Sequence, residues 1–329
     1  MPRSKSFDVL TIGESLRDTF YMLDEASVSC TLKKDHCQLC LEYAEKIPVK
    51  KVIKVLAAGN AANAAVASAR LGLRTTALTW IGDDAEGRDI HSILDDERVN
   101  HDYIQVDRTY PTNEATILSF QGEKTQLVHF QPRTYKMPKL PETKSIYYSA
   151  MGNRFGTFDR ELIAYLKKHK TFFSFQPGTT HVRKGLAAIK PFLPYTDLFI
   201  VNKDEAHQIF MDGERTILNL LEAFHRHGAR IVVITDGKNG AYAFDGTTQW
   251  HMPVFPVPYI ESTGAGDSFA STMTVALLKG HDVPTALRWG TANAASVVQY
   301  IGPQSGLLTE EHMKNMLHRF RKIIPSIVT

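Results

Sequence analysis

Glu261-Ser262-Thr263-Gly264-Ala265-Gly266-Asp267-Ser268-Phe269-Ala270 is the stretch on which the reading of this chain turns. Two glycines flank one alanine, a single carboxylate follows, and helix formers then run from Phe269 to Lys279. Glycine lets a backbone turn sharply and approach a ligand closely. The helix behind the loop points unpaired N–H groups and the positive end of its dipole back at it. Such a loop attracts an anion, and a phosphate suits it. Asp267 at its lip would repel that phosphate, so its presence asks for a reason. A base supplies one: it takes a proton from an attacking hydroxyl while the backbone holds a transferring phosphoryl group. Taken alone, the same residues also fit a glycine-rich turn whose aspartate caps a helix.

Outward from this loop the chain alternates strand and helix. Phe7 to Ile12 reads as a buried strand, Asn60 to Leu71 as an alanine-rich helix, Thr75 to Ile81 as a strand and Gly87 to Val99 as a helix. The alternation returns with Ile146 to Ala150, Phe158 to His169, Thr171 to Phe175 and Leu198 to Val201. Helices over Lys203 to Phe210 and Glu214 to His227 and a strand at Ile231 to Thr235 follow. The last third reads as helices: Asp267 to Lys279, Pro284 to Tyr300 and Glu310 to Ile323. This order predicts an α/β protein, with a mostly parallel sheet covered on both faces and ligands outside the carboxyl ends of its strands.

Two segments break the rhythm. Tyr21 to Lys54 is polar and lacks a long helical period. Thr116 to Phe120 and Thr125 to Phe130 flank Gln121-Gly122-Glu123-Lys124, which looks like a β-hairpin. One expectation is a small β-rich lid of 21–54 and 109–141, inserted into a discontinuous body of 1–20, 55–108 and 142–329. The other is two ordinary surface excursions. A lid has a use, because phosphoryl transfer to an alcohol must exclude competing water.

Composition narrows the classes. The 329 residues are 43% hydrophobic and 22% charged, as in ordinary globular proteins. A net charge of +3 with scattered Lys and Arg excludes a committed nucleic-acid binder and suits a small anionic ligand. No apolar run reaches transmembrane length, and the start lacks the apolar stretch of a signal peptide. Cys30, Cys37 and Cys40 are an odd, low count, which argues against a secreted disulfide scaffold. A cytoplasmic protein without nucleic-acid or membrane partners is expected.

Ala58-Gly59-Asn60-Ala61-Ala62-Asn63-Ala64-Ala65, with Gly72, Gly82 and Gly87 downstream, resembles the N-terminal signature of the ribokinase-like (PfkB) carbohydrate kinases. Ser262 to Ala270 resembles their C-terminal signature, and Gly13 to Asp18 looks like their first-strand substrate motif. Asn202-Lys203-Asp204-Glu205 and Thr235-Asp236-Gly237 with Gly240 are similar to their magnesium and nucleotide-loop elements. The motifs stand in the family's order over nearly the whole chain. The resemblance implies a ribokinase-like three-layer α/β/α body plus lid, and an ATP-dependent kinase using Mg2+. It makes Asp267 the base and Gly264, Ala265 and Gly266 the anion hole. Asp18, Gly59, Asn60 and Asn63 would grip the acceptor, whose vicinal hydroxyls want a carboxylate and amides. Asn202 and Glu205 would organise magnesium, Glu205 through water; as a bare pattern they also fit a capping box. Thr235, Gly237 and Asn293 would line the base and ribose pocket, though helix packing also explains Asn293.

The chain departs from the family in places. Glu261 stands where an aspartate helps hold a monovalent cation, which leaves potassium open. Gln176-Pro177-Gly178 replaces an Asp-Pro-Asn-like segment, and Ala58 replaces a glycine. The acceptor is expected to be the hydroxymethyl group of a sugar, with a ribonucleoside as runner-up. A catalytically idle regulatory protein on the same fold is the alternative outside the enzymes. Cys37-x-x-Cys40 with Cys30 and His36 has metal-like spacing but lacks a second cysteine pair, and small apolar packing residues fit it better. His129 and Arg133 are either closing residues of the lid or solvated surface. An open sheet edge on that hairpin points to a homodimer.

Overall fold

Phe7–Ile12 is FDVLTI, apolar at four of six positions and on both faces, and a strand of that kind needs cover on both faces. The computed structural model, which describes residues 6–31 and 37–328, puts it inside a nine-stranded sheet. From one edge the order is Thr75–Leu78, Phe7–Ile12, Thr143–Tyr148, Phe172–Phe175, Leu198–Asn202 and Ile231–Thr235, all parallel. An antiparallel margin of Ala241–Phe244, Gln249–Met252 and Ser326–Ile327 completes it. That margin has no counterpart in the sequence reading.

Alternate residues of one strand enter different cores, as the pleat dictates. Val232 and Ile234 pack with Phe158, Leu162, Leu220 and Phe224 on one face. Ile231 and Val233 pack with Phe269, Met273, Ala286 and Leu287 on the other. The helices Gly156–Lys168 and Ile217–Arg226 therefore cover the first face, and Ala265–Leu278 and Val283–Val297 cover the second. The alanines of Asn60–Arg70 let that helix sit close to the sheet, with Ala61, Ala62, Ala64 and Ala65 fully buried.

The second sheet has four strands, in the order Glu123–His129, Asn113–Phe120, Leu16–Leu23, Val49–Ala58. Its hairpin turns on Gln121-Gly122, where φ is 52° and 84°. Two successive positive values match the right-handed strand twist, so the connection is a tight two-residue turn. The sheet starts at Leu16 and runs to Ala58, past the expected boundaries of 21 and 54 at both ends. In Val49–Ala58 the exposed residues are Val49, Lys50, Lys51, Val52, Lys54 and Leu56, a polar pattern without a clear strand period, whereas Ala57 and Ala58 are buried and read as body.

Ser27–Cys30 and Cys37–Cys40 form a separate antiparallel pair closed by a Cys30–Cys37 disulfide. Both cysteines are exposed, which corrects the expectation of apolar packing residues. His36 lies outside the described residues, and among those described no group of three or more His, Cys, Asp or Glu could hold a metal. No helix among them is long and apolar enough to cross a membrane.

Candidate active site

A cleft of about 1280 Å³ runs between the small sheet and the carboxyl ends of the parallel strands. Its floor includes Ala150, Gln176, Asn202 and Thr235, each at or just past a strand end. Parallel strands leave such a crevice because their crossover helices diverge there.

Asp267 occupies the first turn of Ala265–Leu278. Gly264, just before the helix, has φ 80°, and a Cβ on it would fall 2.3 Å from Pro303 Cβ. Only glycine fits that turn. The Ala265 N–H is already bonded to Ser262 O at 3.1 Å, which removes it from the expected anion hole. The N–H groups of Gly266 and Asp267 have no protein acceptor among the described residues, as the first turn of a helix requires.

Asn60 and Asn63, a turn apart on Asn60–Arg70, aim their amides at this carboxylate. Asn60 Nδ2 donates to Oδ1 at 2.7 Å and Asn63 Nδ2 to Oδ2 at 2.8 Å. Burial raises the pKa of Asp267, and Asn63, Asn60 and the Lys124 ammonium pull against that rise. Gln304 Nε2 donates to Asn63 Oδ1 at 3.1 Å and so fixes which way that amide points. Gly59, with φ 92°, lines the cleft, and its Cβ would stand 2.6 Å from Glu14 O. The loop of the first strand thus needs a glycine here before any ligand does.

Asp18, on Leu16–Leu23, lines the cleft and is 6% exposed. Burial, with Asp267 and Glu261 adding to it, pushes its carboxyl up to about 7 against the pull of Lys124. Glu205 is also raised to about 7, chiefly by burial, with Asp267 and Asp204 adding to it. It forms a reciprocal cap with Asn202: Asn202 N donates to Glu205 Oε2 at 2.9 Å, and Glu205 N to Asn202 Oδ1 at 2.8 Å. Both readings of that pair hold at once, since Asn202 and Glu205 also line the cleft. Thr235 lines it too, but Gly237 lies just beyond, opening a turn with φ 51°.

Asn293 is placed elsewhere. It is fully buried, donates to Thr272 Oγ1 at 2.6 Å and accepts from Leu308 N at 2.9 Å. It does not line the cleft, and its amide is spent on helix packing. His129 lines the cleft, whereas Arg133 is 2% exposed and turned to Pro111 O and Asp107.

Sequence reasoning missed residues that act across the seam. Glu14 is buried and accepts from Asn113 Nδ2 at 2.6 Å, Gly152 N at 2.9 Å and the Tyr135 hydroxyl, tying the small sheet to the first strand. Lys124 of the hairpin reaches Thr263 Oγ1 at 2.9 Å. Both stand inside stretches already singled out, Gly13 to Asp18 and the hairpin turn, but nothing local marks their partners.

The donor set fits magnesium and a nucleotide triphosphate. Unpaired helix N–H groups await an anion, and Glu205 is a desolvated carboxylate that a cation would relieve. The family model for pfkB family carbohydrate kinase matches residues 21–310. The chain is 24% identical over 327 residues to the ATP-dependent 6-phosphofructokinase of Thermoanaerobacterium thermosaccharolyticum, covering 95% of this chain and 94% of that one. It is 28% identical over 275 residues to 5-dehydro-2-deoxygluconokinase 1 of Bacillus cereus, covering 73% and 79%. Arabidopsis thaliana ribokinase, solved with ribose and ATP, shares the fold with a TM-score of 0.76 at 18% identity, covering 95% and 99%. The chain therefore belongs to the pfkB family of carbohydrate kinases, and its three-layer body with an added sheet is the ribokinase fold.

Proposed function

We propose that this kinase transfers the γ-phosphoryl group of ATP to the hydroxymethyl group of a sugar, with Asp267 as general base. One observation carries the reading: a half-buried carboxylate, gripped through both oxygens by Asn60 and Asn63, stands beside the free N–H groups of a helix start. Asp18, Gly59, Asn60 and Asn63 orient the acceptor so that one hydroxyl meets Asp267. The acceptor oxygen forms its bond to the γ-phosphorus as the bond to the β-bridging oxygen breaks. Asp267 takes the hydroxyl proton, and ADP leaves. Gly264 and Gly266 give the loop its shape, and the N–H groups of Gly266 and Asp267 receive the charge on the moving phosphoryl. Asn202 and Glu205 would hold magnesium, Glu205 through water, and Thr235 and Gly237 would border the nucleotide. Magnesium, when bound, neutralises phosphate charge. The small sheet serves as the lid that keeps water out.

Asp267→Asn tests this. With ATP and a panel of D-ribose, D-fructose 6-phosphate, a keto sugar acid and adenosine, turnover should fall by about three orders of magnitude while ATP binding persists. Turnover at the wild-type level would refute the base. A ribonucleoside acceptor is the second reading, favoured by Leu127, Val128 and Phe130 on the lid wall of the cleft, which offer a face for a base. Adenosine as the best panel member would select it. The open edge of the hairpin strand Glu123–His129 is the surface we assign to a homodimer, which sedimentation velocity checks. We assign the enzyme to the cytoplasm, where ATP is available. The exposed Cys30–Cys37 bridge argues the other way.

A further inference from the structure

Lys124 follows the Gln121-Gly122 turn by two residues, so the hairpin carries it at its tip. From there it crosses to the glycine loop. Its Nζ donates to Thr263 Oγ1 at 2.9 Å and lies 3.7 Å from Glu261 Oε1. Glu261 is 2% exposed. Its Oε1 accepts from Thr263 N at 2.6 Å and Thr263 Oγ1 at 2.5 Å, and its Oε2 is buried without a partner. Ammonium, hydroxyl and carboxylate thus form a polarised chain one residue ahead of Gly264. A buried carboxylate without counter-charge is strongly unfavourable, and Lys124 is the cation this one has.

We propose that Lys124 is a positioning residue of the phosphoryl transfer. When the lid closes, its ammonium seats against Thr263 and Glu261, fixes the loop that presents the Gly266 and Asp267 N–H groups, and screens the carboxylates around Asp267. The inference rests on the reading of Asp267 as the base. Among the described residues, the charged and titratable groups acting on Asp267 are Asp18 of the lid, Glu205 of Lys203–Phe210, Tyr147 of the large sheet and Lys124, with Glu261 of the loop acting on Asp18 and Lys124. Lys124 is the cation among them. Burial raises Asp267 and Lys124 lowers it, so withdrawal of the ammonium lifts the pH above which Asp267 works as a base.

Lys124→Met, Lys124→Arg and Thr263→Val, compared with wild type and Asp267→Asn on the panel above, test the inference. Lys124→Met should lower kcat about a hundredfold, because the loop loses its register. The acid limb of its rate profile should move up by about one pH unit. Lys124→Arg should keep that limb in place, and added methylammonium should restore part of the Lys124→Met turnover. Thr263→Val should lower kcat and leave the limb where it was. Amides of Glu123–His129 should exchange faster in both Lys124→Met and Thr263→Val. A merely structural lysine would lower the melting temperature without moving the limb or answering to methylammonium. Wild-type kcat and an unmoved limb in Lys124→Met, beside an inactive Asp267→Asn, overturn the role of Lys124 and leave the base standing. An active Asp267→Asn overturns the base instead. Should Lys124→Met not fold, a wild-type kcat in Thr263→Val overturns the proposal by the same measure.

Discussion

Ile231–Thr235 in the large sheet is buried at its first four positions, whereas Glu123–His129 at the edge of the small sheet is exposed at every position but Lys124. The body rests on extensive apolar cores, one of them an aromatic stack in which Tyr148 and Phe175 lie 5.4 Å apart and nearly parallel. The lid adds a cluster of Leu16, Ala58 and Ala115 with Val55 against them. It is tied to the body by Ala57, buried with Ala62, Ala65 and Val66, and by polar contacts: Glu14 with Asn113, Arg17 with Glu86, and Lys124 with Thr263. Apolar burial fixes a part permanently, while partly exposed ion pairs contribute little and can be exchanged for ligand contacts. On the proposed mechanism the body would be the floor for the nucleotide and the small sheet the wall for the acceptor, with the chemistry at the seam between them.

Phe175→Ala attacks the body side of that contrast. The ring is fully buried and packs on Tyr148, Phe192 and Phe199, so truncation should remove about 3–5 kcal/mol of stability. Differential scanning calorimetry reads the drop, and a melting temperature within a degree or so of wild type would mean the body does not carry the stability. Gly264→Ala attacks the seam. The positive φ and the 2.3 Å approach to Pro303 force the loop to shift. Turnover should fall by about a hundredfold, as when a preorganised donor is lost, with a far smaller fall in melting temperature than Phe175→Ala. Full activity in that variant would show the N–H groups are not where the charge develops.

The parts of the site that were legible are those built from local sequence. Gly264, Gly266 and Asp267 are neighbours at a helix start, and Asn60 and Asn63 lie a turn apart on one helix, so each group is local; the family resemblance, not spacing, joined Asn60 and Asn63 to the site. Lys124 and Thr263 are 139 residues apart, and a lysine beside a turn looks like any solvated charge. Asn293 misleads for the opposite reason: an amide among small helix residues looks like a ligand group, but Thr272 and Leu308 already satisfy it. In the fold, the parallel strands were readable as continuous apolar runs. Val49–Ala58 was not, because one end faces solvent and the other the core. The Cys30–Cys37 bridge depends on hairpin register, which spacing does not reveal.

The two sides of the seam also answer to pH. Asp18 on the lid and Glu205 on the body both sit at about 7, raised from ordinary carboxylate values chiefly by burial. A carboxyl raised in the folded state binds more protons folded than unfolded. The stability each contributes is complete below its unfolded value, near 4, and is lost as pH climbs through about 7. The ligand-free enzyme should therefore melt at progressively lower temperature between about pH 5 and pH 8. If Glu205 holds magnesium as proposed, the cation would favour its charged form, so the slope should shrink by the share of Glu205 when magnesium and ATP are added. Asp18→Asn should remove its share and flatten the profile further, leaving the slope that Asp267 and Glu14 contribute, both raised by burial. Equal slopes with and without the nucleotide would place Glu205 outside the metal's reach. A flat profile in the ligand-free enzyme would mean that water already reaches both carboxyls, and that the lid rests open rather than closed against the glycine loop.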